Sequence, residues 1–146
     1  AIMPSTVLVS ILSYLVLAAG ASAAPVDALA GQWRTVRHGA LVEISDCGDG
    51  TPCGALAWVE DSVSGGQLHD VRNRQPDLRG RPLIGVPILW GFLPDGEGWQ
   101  GGRLYNPDDG KDFRARLELL SPTRLRVTAC LGPFCRSQVW TRITNP

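Results

Sequence analysis

The sequence predicts an all-β, single-domain protein of about eight antiparallel strands, and three observations carry that expectation. Apolar and polar residues alternate over several short runs, most clearly Phe113, Ala115, Leu117 and Leu119 against Asp112, Arg114, Arg116 and Glu118. Clusters of Gly, Pro, Asn and Asp separate these runs at short intervals. Beyond the N-terminal segment, no stretch sustains the 3.6-residue apolar period of a helix. Strands of this number and spacing close into an up-and-down barrel or stack as a sandwich.

The first residues stand outside that pattern. No charged residue precedes Asp27, Val7 to Ala19 is an apolar run, and Ala21-Ser22-Ala23 is a small-x-small cleavage signal ahead of Ala24. These features predict a signal peptide over residues 1–23 and a domain over 24–146, although the basic residues usual at a signal's start are missing. The competing expectation is a membrane anchor, since the uncharged stretch is long enough to span.

Within the domain, Gly31 opens a first strand that runs to about Arg37, and His38-Gly39 turns it into a second over Leu41 to Asp46. Cys47 to Cys53, CGDGTPC, is too rich in Gly and Pro to be other than a connection. A third strand follows over Gly54 to Glu60. From Asp61 to Arg81 the apolar pattern lapses into the longest loop, with room for a turn of helix. Leu83 to Leu93 is a strongly apolar fourth strand, limited in its hydrogen bonding by Pro87. Gly98 to Asn106 and Lys111 to Leu119 form a central hairpin, in which Pro107, Asp108, Asp109 and Gly110 supply the turn. Arg124 to Cys130 and Ser137 to Ile143 complete the set.

The four cysteines fall in two close pairs, Cys47 with Cys53 and Cys130 with Cys135. In an exported chain this reads as a disulfide framework. Of three connectivities, local pairing is the expected one, each short loop contributing about 2 kcal/mol on the chain-entropy model. Neither spacing is C-x2-C, which argues against zinc and against a thioredoxin-like redox centre. Basic and acidic residues balance at 14 each, so there is no excess of positive charge to neutralise phosphates, which argues against nucleic acid as the main partner.

Several motifs together resemble a known family. They are Gly31-x-Trp33, Cys47-Gly48 through Cys53-Gly54, Asp70-x-x-Asn73, Arg81 to Gly85, Trp99-x-Gly101-Gly102 through Tyr105, Pro107 and Gly110-Lys111-x-Phe113, and Trp140 to Arg142. In this order they resemble DUF2147, a family of small exported bacterial proteins of unknown function, over essentially the whole domain. Phe113 and Asn106 depart from it, since Tyr and Asp are commoner there. A looser likeness links Gly31, Trp33 and Arg142 to lipocalin-type barrels, where an Arg lies across a Trp at the closed end. That resemblance implies an eight-stranded, lipocalin-like up-and-down barrel and structural roles for Trp33 and Arg142.

Candidate functional residues are few. His38 and His69 lack the surroundings of a catalytic triad, since no serine sits in G-x-S-x-G and every cysteine has a partner. Asn106, Asp108, Gly110 and Asp112 imitate the start of a calcium loop, but Leu117 stands where the bidentate Glu belongs. Asp108 and Asp109 are neighbours in a turn and poorly placed as a glycosidase pair. Asp70, Asn73, Arg79 and Arg81 could hold an anion at a barrel mouth, or Asp70 could pair with an Arg simply to order the loop. Trp99 and Tyr105 offer aromatic faces to the same ligand, as do Trp58, Trp90 and Trp140. The expected function is a non-catalytic periplasmic or secreted protein that binds a small apolar or anionic ligand, with no cofactor or metal. The alternatives are an envelope-associated interaction or structural module and, third, an enzyme acting on the cell envelope through Asp70, Arg79 or Arg81. No stable membrane insertion is expected once the signal is removed.

Overall fold

The structure, a computed structural model, describes residues 2–16 and 24–144. The cleavage signal Ala21-Ser22-Ala23 and the end of the Val7–Ala19 run lie outside the described residues. Nine strands follow one another as β1 (Gly31–Arg34), β2 (Leu41–Asp46), β3 (Pro52–Trp58), β4 (Pro87–Trp90), β5 (Leu93–Asp95), β6 (Gly98–Asn106), β7 (Lys111–Ser121), β8 (Arg124–Leu131) and β9 (Phe134–Arg142). Their order in the sheet is β4-β3-β2-β1-β9-β8-β7-β6-β5, and β4 also pairs with β6. That last pairing closes eight antiparallel strands into a barrel and excludes the sandwich. β5 is a short ninth strand that prolongs the sheet along β6.

The fourth expected strand, Leu83 to Leu93, is broken into β4 and β5, and the reason lies across the sheet. β6 bonds β5 through Gly98–Gln100 and β4 through Arg103 and Leu104, so it must bend between the two. The bend is a bulge at Gly101-Gly102, where Gly101 has a left-handed φ of 67°. Phe92, released from the strand by Gly91, fills the corner. A Cβ on Gly102 would stand 2.3 Å from its ring. The W-x-G-G run therefore encodes a change of strand partner and the space for a buried phenyl.

Alternation sets the inside. Val42 pairs with Leu56, Leu104 with Phe113, Ala115 with Ala129 and Leu125 with Trp140, and these side chains turn to the interior while their sequence neighbours face out. The core cluster and the hydrophobic residues packed on it all lie between Ala24 and Trp140, and none of residues 2–16 belongs to it. The chain from Ala24 onward thus holds its own core. Each large side chain it buries is worth about 1.5–3 kcal/mol.

The two ends of the barrel are built differently. One is closed by α1 (Val26–Leu29), a single helical turn that the sequence pattern is too short to reveal, with Val26 and Leu29 buried. Trp33, fully buried, donates its indole N–H to the Leu29 carbonyl at 2.8 Å. The Arg142 guanidinium lies 4.3 Å from the centre of the Trp33 ring. It donates from Nε to the Pro122 carbonyl at 2.7 Å and from its two terminal nitrogens to the carbonyls of Ala28 and Ala30. One cation thereby satisfies three carbonyls and stacks on an indole. Trp99 closes the same end, donating to the Ala24 carbonyl at 3.1 Å.

The Cys47–Cys53 disulfide staples the β2–β3 loop at this closed end, and the Cys130–Cys135 disulfide joins β8 to β9 beside the turn at the other. The connection between β3 and β4 crosses the open end. It carries α2 (Asp61–Ser64) and a 3-10 turn at Pro76–Leu78. Among the described residues no helix is long and apolar enough to cross a membrane.

Candidate functional site

The barrel interior opens at the end opposite α1 into a cavity of about 460 Å³. Its wall is apolar, with Val42, Leu56, Ile88, Phe113, Val127 and Trp140 contributed by six different strands or their edges. Its mouth is not apolar. Arg37 and His38 come from the β1–β2 turn, His69 and Arg72 from the long connection, Asp108 and Asp109 from the β6–β7 turn, and Arg136 from β9. Arg72 donates to the Asp108 carboxylate at 3.0 Å and to its carbonyl at 2.5 Å. His38 stands 3.5 Å from the other Asp108 oxygen, in a left-handed conformation with φ 70°. Asp108 is thus held from two sides. Arg37 and Arg136 have no ion-pair partner among the described residues, and with Arg72 they outnumber the two carboxylates of the entrance, Asp108 and Asp109.

The loop candidates gather beside this mouth. Asp70 is buried, its side chain fully so. Tyr105 donates its hydroxyl to one carboxylate oxygen at 2.5 Å, and Asn73 and Arg81 each donate to the other at 2.9 Å. The Arg81 guanidinium also lies 5.5 Å from the Tyr105 ring centre. Asn73 passes the bonding on, accepting the Gln75 amide at its side-chain oxygen and the Arg79 Nε at its carbonyl, at 2.9 and 2.7 Å. Burial, then the bond to Asp70 and the negative charge of that carboxylate, push the Tyr105 hydroxyl well above the usual phenol range. It therefore stays protonated and keeps its donor role.

Among the ligand candidates, Asp70, Asn73, Arg79, Arg81 and Tyr105 are therefore brought into one network. Trp140 lines the cavity, and Trp99 stands at the closed end with its N–H engaged there. Asp70 has both oxygens committed within the protein, and no buried side-chain nitrogen or oxygen among the described residues is left without a partner. The network fastens the long connection to β6. A second clamp is steric: a Cβ on Gly110 would lie 1.9 Å from the Arg72 carbonyl oxygen, so the loop can close on the hairpin turn only over a glycine. Among the described residues no three His, Cys, Asp or Glu side chains gather as metal ligands do.

Sequence reasoning missed the entrance itself. Arg37, Arg72 and Arg136 are far apart in the chain and sit in motifs of no distinct pattern, and His38 and Asp108 read as ordinary turn residues. The usable signal was topological: in an up-and-down barrel every second turn lies at the same end.

The comparisons with known proteins agree with this architecture. A solved structure described as "Protein HP1028 from the human pathogen Helicobacter pylori belongs to the lipocalin family" superposes with a TM-score of 0.69, at 25% identity over 80% of this chain and 84% of that one. The barrel is thus lipocalin-like in fold. No curated protein sequence matches the chain. The family model of DUF2147, described as an uncharacterised protein conserved in bacteria, matches residues 31–142, from the glycine before Trp33 to the arginine stacked on it. By that match the chain belongs to the bacterial family DUF2147.

Proposed function

We propose that this protein is a non-catalytic carrier of a small anionic amphiphile, working in the bacterial periplasm or outside the cell. The apolar part of the ligand occupies the barrel and its anionic head meets Arg37 and Arg136 at the mouth. The observation that carries this reading is the pairing of an apolar cavity of about 460 Å³ with an entrance where these two arginines lack carboxylate partners. The volume lies within the ordinary range for small-molecule sites, about 300–1,000 Å³, and such sites combine an apolar lining with a few placed polar groups. Two disulfides suit an oxidising compartment, and the apolar N-terminal run followed by a cleavage signal supports export by a signal peptide over residues 1–23. The carboxylate of Asp70 is fully engaged, which favours a positioning role for the loop network over acid–base chemistry.

Native mass spectrometry of protein exported to a periplasm and gently purified tests the reading. The expected result is a bound mass that leaves on denaturation, together with binding of a fluorescent long-chain carboxylate. Ala129 lines the cavity, so Ala129→Trp should abolish that binding by filling the space. Arg136→Glu should weaken it about tenfold or more for the carboxylate and leave an uncharged analogue unaffected. Equal binding of both probes by Arg136→Glu would end the head-group assignment, and undiminished binding by Ala129→Trp would end the cavity reading.

A further inference from the structure

The β1–β2 and β8–β9 turns lie side by side at the open end, because β1 and β9 are hydrogen-bonded neighbours. Their tips are apolar and turned to solvent. Phe134 is 80% exposed, Val36 65% and Leu131 57%. Single exposed hydrophobic residues are ordinary, but Leu131 and Phe134 are cross-strand partners, and with Val36 on the neighbouring turn they put three large apolar side chains on one rim. Around them stand four arginines. Arg37 and Arg136 are on the inner side of the rim, lining the mouth together with Leu131 and Phe134, while Val36 stands outside that lining. Arg34 and Arg114 have the opposite strand parity and stand on its outer side, where Arg114 donates to the Gly132 carbonyl at 3.0 Å and Arg34 to that of Gly39 at 3.2 Å.

No acidic residue occurs from Arg34 to Val42 or from Leu119 to the C-terminus. None of the four arginines is in an ion pair among the described residues. Of the two carboxylates at the mouth, Asp108 is held by Arg72 and His38, and Asp109 accepts the Lys111 amide.

We propose that this rim is a docking surface for an anionic lipid bilayer, with Phe134, Leu131 and Val36 entering the interface and Arg34 and Arg114 meeting lipid head groups. The chemistry is that of peripheral membrane binding, in which shallow apolar insertion and basic residues act together. Its selectivity follows from charge: a neutral bilayer offers the apolar term alone, and salt screens the remainder. Placed so, the mouth faces the bilayer and an amphiphile can pass between lipid and cavity without crossing water. The docking surface itself does not depend on what the cavity holds.

The test is co-sedimentation of the chain from Ala24 onward with vesicles of phosphatidylcholine alone or with 30% phosphatidylglycerol (about one lipid in three,). Binding is expected to the mixed vesicles, weakening as salt is raised, and not to the neutral ones. Phe134→Ser with Leu131→Ser should lower the affinity about tenfold or more by removing the inserted side chains. Arg34→Glu with Arg114→Glu should lower it about tenfold or more through the outer charges. All four positions are exposed, so circular dichroism and thermal melting should show the fold retained. Ala129→Trp, which fills the cavity, should bind vesicles as the unaltered chain does, so loss of ligand binding and loss of docking are separable. Absence of binding to mixed vesicles, or binding that both rim variants leave unchanged, would overturn the proposal. So would capture of the rim by a protein partner with no dependence on anionic lipid.

Discussion

The two ends of this barrel are made from the same strands but solve opposite problems. At the closed end, polar groups are consumed internally: one arginine caps three carbonyls and covers Trp33, whose own N–H is taken by Leu29. At the open end, the long connection is fastened by an equally complete network around Asp70, yet the neighbouring rim leaves Arg37, Arg136 and three large apolar side chains without such partners. Full internal satisfaction gives rigidity, and groups left over give the capacity to meet something else. The contrast is the structural ground for placing the proposed binding role at the open end.

The largest expected effect is at the closed end. Trp33→Ala removes a fully buried indole and the surface on which Arg142 stacks, and should cost about 4 kcal/mol in urea unfolding. Ligand binding by the fraction still folded should be unchanged. Loss of binding without loss of stability would erase the distinction between the ends. Next, Asp70→Ala leaves Arg81 without its buried partner and should cost about 3 kcal/mol, with hydrogen exchange accelerated in the loop around residues 68–82. A uniform acceleration across all strands would mean that the network supports the whole barrel and not only its open end.

Removal of one disulfide at a time by substitution sharpens the comparison further. Cys47→Ser with Cys53→Ser, and separately Cys130→Ser with Cys135→Ser, should each cost about 2 kcal/mol, and only the second should alter ligand entry. The smallest effect is that of Tyr105→Phe, about 1.5 kcal/mol at neutral pH, because one Asp70 oxygen loses its donor in a buried site. This variant also has a pH signature. The folded hydroxyl titrates above its ordinary value of 10.0, so above that pH the unfolded chain loses the proton while the folded one keeps it. Stability is therefore present in full below pH 10 and falls as pH rises beyond it. Tyr105→Phe should lack that part of the alkaline decline in a series of urea titrations.

Legibility in the sequence followed the range of the interactions. β7 was readable almost to the residue because alternation is a local property, and both disulfides followed from close spacing in an export-type chain. The fourth strand reads as continuous in the sequence because a run as apolar as Leu83–Leu93 carries no period. Its break is imposed by Gly101 and Gly102 on β6, a strand it meets only after folding. The single turn of α1 is held by tertiary contacts and so left no pattern of its own. Asp70 and its arginine partner could be suspected from the loop's composition, and Tyr105 was suspected on separate grounds. Their convergence, and the separation of Trp99 from them, required the β6 register. The entrance drew on four distant segments and was visible only in three dimensions.

One feature of the closed end bears on how the molecule is held. Ala24 enters the barrel there, its amide directed to the Glu97 carbonyl and its own carbonyl accepting from Trp99. Ala24 itself thus lies at the pole opposite the mouth. A barrel moored through the chain ahead of Ala24 would present its opening away from the mooring surface, like a cup standing on its base. A barrel released from it is free to invert and meet the same surface rim first. If the carrier and docking proposals hold, processing at the N-terminus decides which way the mouth faces, and with it whether ligand is collected from the surrounding space or exchanged with the bilayer.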